Sequence, residues 1–293
     1  MKVTEYTERM REILFRSGLP SSEIDFRIGR LKDAERQPGS QISRISDAYY
    51  SLAHEIKALQ FLSPLGNVRV ADDSHSRAGC DYVLNEKYQI ECVCSTAGKS
   101  EQNSLAKFCI CNPSGGLMDY NKKENLLYSR LTSSLRDKKG FYQKHIDAGT
   151  MSANLPYIIF LGLGPLSQHM GICPDNNGIE LTGILLGKGN PTVTIHPETR
   201  KIIDEGYAFR PRIEKWNHQL IDSMIFCNPE YTGVSGILFS SAGLHEEYTA
   251  KNTWLFINPY ATNKILKKDF HNVTYWAADK NMMYRAYRNG RRK

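Results

Sequence analysis

The stretch Gly79-Cys80-Asp81-Tyr82-Val83-Leu84-Asn85-Glu86-Lys87-Tyr88-Gln89-Ile90-Glu91-Cys92-Val93-Cys94 decides how the chain is read. Two runs with strand character, residues 81–84 and 88–94, flank the turn-forming triplet Asn85-Glu86-Lys87. They should pair as an antiparallel hairpin. Alternation along the second run puts Gln89, Glu91 and Val93 on one face and Ile90, Cys92 and Cys94 on the other. Glu91 is then a charge in a weakly polar strand, and Asp81 opens the strand beside it. A three-residue turn brings the two carboxylates side by side. A half-buried acid needs a partner, and a divalent cation suits, because hard cations take carboxylate oxygens. The competing reading is that Asp81 caps a turn and Glu91 pairs with a lysine.

Working outward, residues 47–62 read as a helix with Ser46 as N-cap, a stripe of Tyr49, Leu52, Ile56 and Leu59, and a stop at Pro64 and Gly66. Glu55 borders that stripe and should face the sheet; otherwise it is simply solvated. Residues 68–71 give a first strand. Downstream, about 124–145 form a long helix striped by Leu127, Leu131, Leu135 and Tyr142, followed by a buried strand over 156–163. Short strands are expected at 183–187 and 192–195, a helix near 213–226, and strands at 234–239 and 253–257. Upstream, helices are expected over 3–17, with Met10, Ile13 and Leu14 on one face, and over 21–33, capped by Ser21 or Ser22. A linker at 32–46 follows. Residues 97–123 give no clear pattern beyond a loop at 112–116. Helices alternating with strands predict a mixed α/β sheet covered by helices.

The composition agrees. The 293 residues allow one or two domains. With 41% hydrophobic and 24% charged residues, a disordered, collagen-like or coiled-coil chain is excluded. The longest apolar run, residues 155–164, is about half of what a membrane span needs, so no membrane association is expected. The N-terminus lacks the apolar region of an export signal. A cytoplasmic location with seven reduced cysteines is therefore expected. The net charge is +7, and residues 264–293 carry all of it: nine basic residues against Asp269 and Asp279. Phe270, Tyr275, Trp276, Tyr284 and Tyr287 are interleaved there. Cations for phosphates with aromatic faces for bases form a nucleic-acid pattern, which makes Lys267, Lys268, Arg285, Arg288, Arg291 and Arg292 candidate contacts. A solvated tail with a few core aromatics is the alternative.

The run from Glu55 through Asp81 to Glu91 resembles the PD-(D/E)XK nuclease superfamily. The pieces are Ala53-His54-Glu55, Gly79-Cys80-Asp81-Tyr82-Val83-Leu84 and Ile90-Glu91-Cys92-Val93, and the helix with Arg136-Asp137-Lys138-Lys139 and the strand at 156–161 follow in the family's order. The resemblance covers about residues 46–165. It implies a restriction-endonuclease-like mixed central sheet flanked by helices. Residues 1–45 would be an N-terminal helical extension, 46–165 the core, 166–263 additional strands and a helix packed on it, and 264–293 a basic aromatic tail. It also implies Mg²⁺- or Mn²⁺-dependent hydrolysis of DNA. Asp81, Glu91 and the Cys92 backbone carbonyl would hold the metal, and Glu55 would bind a second ion or orient water. A restriction-type enzyme of this kind would be a homodimer. The family's lysine should fall at Val93, which can neither activate water nor stabilise developing charge. Lys138, on the stripe of the long helix, is the first choice for a migrated lysine, Lys139 the second and Lys87 the third. The rival is a catalytically inactive nuclease fold that binds DNA or a protein.

The remaining motifs are weaker. Cys92/Cys94 and Cys109/Cys111 have too short a gap for a usual zinc site and read as buried hydrophobes. Gly162-Leu163-Gly164-Pro165 is only a fragment of a dinucleotide fingerprint. The eight histidines form no ligand pair at helical spacing.

Overall fold

The structure, a computed structural model, describes residues 3–39, 43, 45–71, 79–96, 120–168, 181–215, 219–278, 284–288 and 291–292. The helices are α1 (Val3–Arg16), α2 (Ser21–Glu35), α3 (Asp47–Leu62), α4 (Tyr120–Asp147) and α5 (Leu181–Leu186). A mixed nine-stranded sheet runs β1 (Val68–Val70), β2 (Tyr82–Leu84), β3 (Tyr88–Cys94), β4 (Tyr157–Gly162), β9 (Val234–Ser240), β10 (Thr253–Ile257), β11 (Thr274–Ala278), β12 (Tyr284–Arg288) and β13 (Arg291–Arg292) in spatial order. Between β4 and β9 the chain forms two separate ribbons: β5 (Lys188–Ile195) with β6 (Ile202–Phe209), and β7 (Arg212–Glu214) with β8 (Leu220–Asp222).

The sheet is sandwiched. Ile90, Cys92, Cys94, Ile158 and Phe160 point to one face, where α1, α2 and α3 pack with Tyr6, Leu31, Tyr49 and Leu59. Val83, Tyr157, Ile159 and Leu161 point to the other, under Leu127, Leu131, Leu135 and Tyr142 of α4. Strand β4 is buried along its whole length, as a central strand covered on both faces must be. The β2–β3 turn is set by Asn85 and Glu86, with φ of 55° and 51°, a region asparagine tolerates well. Asn85 accepts the Asn67 N–H at 2.8 Å and donates to the Leu65 carbonyl at 3.3 Å. Gly66, at φ 151°, lies so close that a Cβ there would sit 2.0 Å from Asn85 Oδ1.

Ser46 caps α3, accepting the Tyr49 N–H at 3.2 Å. Four expectations need correction. Helix α2 starts after Pro20 and has no side-chain cap; the rigid φ of proline sets the entry instead. Residues 183–187 fall mostly in helix α5, because a short apolar run reads equally as strand or helix. Among the described residues of 213–226 there is no α-helix: Ile213 and Ile221 face each other across β7 and β8, each the single buried residue of its strand. Finally, residues 264–293 are not a tail. Phe270 and Val273 are buried, and β11 pairs in parallel with β10 inside the main sheet. Of the aromatics that looked interleaved with charge, Tyr275 and Trp276 lie in β11 and Tyr284 and Tyr287 in β12, while Phe270 ends a 3₁₀ turn. The loop expected at 112–116 lies outside the described residues.

Candidate functional site

The hairpin register sets the two acids. The last ladder pair is Tyr82 with Ile90, and one step outward Asp81 faces Glu91, where directly opposed side chains share a face. At that point the backbone ladder gives way to the Asp81 carboxylate: Oδ2 accepts the Cys92 N–H at 2.6 Å. In an extended strand a residue's N–H and C=O project to the same side, so the Cys92 carbonyl is directed toward the Asp81 side as well.

Glu91 is 4% exposed and lies on the α4 face of the sheet. One turn of α4 after Leu135, Lys138 forms an ion pair with Glu91 Oε1, and its ammonium lies 5.0 Å from the centroid of the Phe141 ring. The helix is fixed there by Tyr157, whose hydroxyl donates to the Lys138 carbonyl at 3.2 Å, and by Tyr142 stacked on Tyr157 at 4.4 Å between centroids. Lys138 thus reaches the Glu91 carboxylate from the covering helix. Val93 itself packs into the apolar layer beneath α4. Lys139 pairs instead with Glu230 at 3.2 Å, and Lys87 approaches Asp269 at 3.7 Å. Among the described residues, Glu91 Oε2 is buried without a hydrogen-bond partner.

Glu55 comes from α3, the layer on the other face. It is not solvated: its side chain is 20% exposed and lies 3.8 Å from Arg27 of α2. Arg27 also donates to Glu23 at 2.6 Å and to the Tyr82 hydroxyl at 3.3 Å. That hydroxyl donates to the Glu55 carbonyl at 2.9 Å. Sequence reasoning missed Arg27. The signal was its place on α2 next to the buried Ile28 and one turn before Leu31, but nothing local says which face of the sheet α2 covers.

The electrostatics follow from burial of like charges. Burial, then the neighbouring Asp81, pushes Glu91 up to about 8 against the opposing pull of Lys138. The same two causes push Glu55 up to about 7. Burial raises Asp81, opposed by the Cys92 N–H and Lys138. Burial works against the Lys138 ammonium, yet the Glu91 carboxylate more than offsets it and holds Lys138 above its ordinary value. Each acid is therefore costly as an anion, and the cluster carries a deficit of positive charge.

Among the described residues, no three His, Cys, Asp or Glu side chains are grouped to hold a metal ion. The donors are two facing carboxylates with one orphaned oxygen. That set fits Mg²⁺, which is usually held by one or two carboxylates and fills its other positions with water or substrate phosphate. Zinc has no such set. Cys92 and Cys94 are free and buried on the face opposite Glu91, and burial pushes the Cys94 thiol up to about 12; Cys109 and Cys111 lie outside the described residues.

The basic residues lie elsewhere. Lys267 sits 6.0 and 5.8 Å from the ring centroids of Tyr275 and Tyr287, and Lys268 follows it in a short 3₁₀ turn. Arg285 and Arg288 belong to β12, and Arg291 and Arg292 to β13. Strand β12 is five positions from β3 in the sheet, about 24 Å at ~4.8 Å per strand. No described helix is long and apolar enough to cross a membrane. No family model, no curated protein and no solved structure matches the chain.

Proposed function

We propose that the chain is a metal-dependent nuclease that hydrolyses DNA phosphodiester bonds on a restriction-endonuclease-like α/β fold. The observation that carries this reading is the Glu91 carboxylate. It is buried on a sheet, faces Asp81, is ion-paired to Lys138 through one oxygen, and has its other oxygen without a partner among the described residues. A buried carboxylate with an orphaned oxygen is expensive unless a further positive group completes it.

In this reading Asp81, Glu91 and the Cys92 carbonyl hold Mg²⁺ or Mn²⁺. A bound divalent ion lowers the pKa of a water and offsets charge on the phosphorus. The protein's own groups do the rest. The Cys92 N–H fixes the Asp81 carboxylate in its rotamer. Lys138, held charged by Glu91, presents an ammonium to the charge that develops on the phosphate oxygens. Glu55, restrained by Arg27, orients a water at the edge of the pair. A second reading, a nuclease fold that only binds DNA or a protein, is favoured by Val93 and by the lack of three grouped side-chain ligands among the described residues.

Supercoiled plasmid incubated with the protein separates the two. The nuclease reading expects cleavage that requires Mg²⁺ or Mn²⁺ and disappears in Asp81→Ala. Retarded but uncut plasmid, unchanged by Asp81→Ala, would establish the binding protein instead.

A further inference from the structure

The cations around the acids are not equivalent. Lys138 is taken by Glu91, and Arg27 is taken by Glu23 and lies beside Glu55. The third is Arg30, three residues after Arg27 and so its neighbour on the same side of α2. Its field reaches Glu55. Among the described residues it has no carboxylate within 4.0 Å; Asp25 and Asp33 of the same helix are taken by Arg11 and Arg36. Instead the guanidinium lies 5.8 Å from the centroid of Phe26, one turn earlier, and Phe26 is 38% exposed. Four acids (Glu23, Glu55, Asp81, Glu91) thus face three cations, and the only one of these three without a carboxylate stands on the outside with an exposed aromatic ring.

The basic edge formed by β12 and β13, about 24 Å from β3, is too far away to hold the phosphate next to the acids. A polyanion entering an acidic cluster needs a cation that is not already committed.

We propose that α2 is the DNA-binding wall of the acid site: Arg30 takes a backbone phosphate next to the acids, and Phe26 packs against the adjoining sugar or base. This rests on the nuclease reading and makes the N-terminal helices part of the substrate site. The phosphate–guanidinium contact supplies affinity, and the aromatic face adds a sequence-tolerant contact of the kind seen with single strands or frayed ends.

The test is binding of a fluorescein-labelled DNA duplex to the full chain in EDTA, followed by fluorescence anisotropy over a salt series, with cleavage in Mn²⁺ measured in parallel. Arg30→Glu and Phe26→Ala change partly exposed helix positions, and circular dichroism checks that both variants fold. The expected result is about tenfold weaker binding for Arg30→Glu, a salt slope shallower by about 1, and a KM for cleavage raised in proportion. Phe26→Ala should weaken binding several-fold with an unchanged salt slope. Wild-type affinity and slope in Arg30→Glu would overturn the proposal, and so would an absence of DNA binding by the wild type. If Arg30→Glu binds poorly but the wild type never cuts, α2 is the DNA surface and the nuclease reading falls. If the wild type cuts and Arg30→Glu cuts and binds equally well, the nuclease reading stands and this proposal falls.

Discussion

Two lysines on opposite faces of one sheet, one buried and one half-buried, meet opposite fates. Lys57, on α3, is 3% exposed. It donates to the Gly243 and Leu244 carbonyls at 2.7 and 3.4 Å and lies 4.2 Å from the centroid of the Tyr248 ring. No described carboxylate pairs with it, and burial brings its ammonium down to about 7. Lys138, on α4, is more exposed and faces Glu91, which holds it charged. His54 sits beside Lys57, bonded to the Tyr248 hydroxyl and to the Phe160 carbonyl at 2.5 and 2.8 Å. Lys57 and His54 therefore have their partners, although Asp47 Oδ1 and Gln60 Oε1 of the same helix have no hydrogen-bond partner among the described residues. The α4 face has a carboxylate left incomplete. What sets the α4 face apart is the Glu91 carboxylate held between Asp81 and Lys138.

The sharpest way to break this contrast is to remove its members. Asp81→Ala should lower metal-dependent plasmid cleavage by about 10³-fold or more, and Lys138→Met by about 10²- to 10³-fold, both read from initial rates at fixed Mn²⁺. Loss of Lys138 also removes the only cation paired with Glu91 among the described residues, so Glu91 should stay protonated to higher pH and the acidic limb of the cleavage profile should move up. Equal activity of Lys138→Met and wild type would reduce Lys138 to a structural ion pair.

Next in size is the pH dependence of stability, where the acid cluster and Lys57 should slope in opposite directions. Glu55 and Glu91 have folded values of about 7 and about 8, above the unfolded ~4.3. The stability they contribute when protonated is intact near pH 4 and is lost as pH rises through those values. Lys57, at about 7 when folded and ~10.4 when unfolded, is charged in both states below pH 7. Between those values the unfolded chain binds the extra proton, so stability rises with pH there. Thermal melts in EDTA should therefore weaken from pH 5 to 8 and recover in part toward pH 10. Added Mn²⁺ should fill the dip: at 100 times its dissociation constant, an ion that binds only the folded chain contributes about 2.7 kcal/mol. At pH 5, where the acids are protonated, the gain should be much smaller. A metal effect equal at both pH values would contradict the assignment.

Lys57→Met isolates the other face. It deprives the Leu244 carbonyl of its donor and leaves the Gly243 carbonyl with only the Glu246 N–H, at a cost of about 1–3 kcal/mol, and should erase the alkaline recovery while leaving metal-dependent cleavage in place. The smallest effect is expected at the far edge. Charge reversal at Arg285 and Arg288 should weaken DNA binding a few-fold through the salt-dependent part alone. Substitution is the right tool there, because deleting the chain beyond Thr262 would remove β11 from the sheet.

What the sequence made legible was local. Strand alternation, the Asn85-Glu86-Lys87 turn and the α4 stripe placed Asp81 opposite Glu91, and Lys138 at its carboxylate, because period and register fix which face a side chain takes. What stayed hidden was long-range. Nothing near Arg27 in the sequence shows that α2 packs where Glu55 emerges. Nothing near Lys57 shows that the loop after β9 supplies its carbonyls. The basic C-terminal segment misled for the opposite reason: its charges stood out, while the weaker alternation of Trp276 and Ala278 with the buried Tyr275 and Ala277, which places it in the sheet, did not.

The most direct test of the central claim is calorimetric titration of Mn²⁺ into the DNA-free protein at pH 8, beside Glu91→Gln. The account predicts saturable binding by the wild type, accompanied by proton release, and a loss of affinity of at least about tenfold in the variant. Wild-type protein that binds no Mn²⁺, or a variant that binds it equally well, would contradict it.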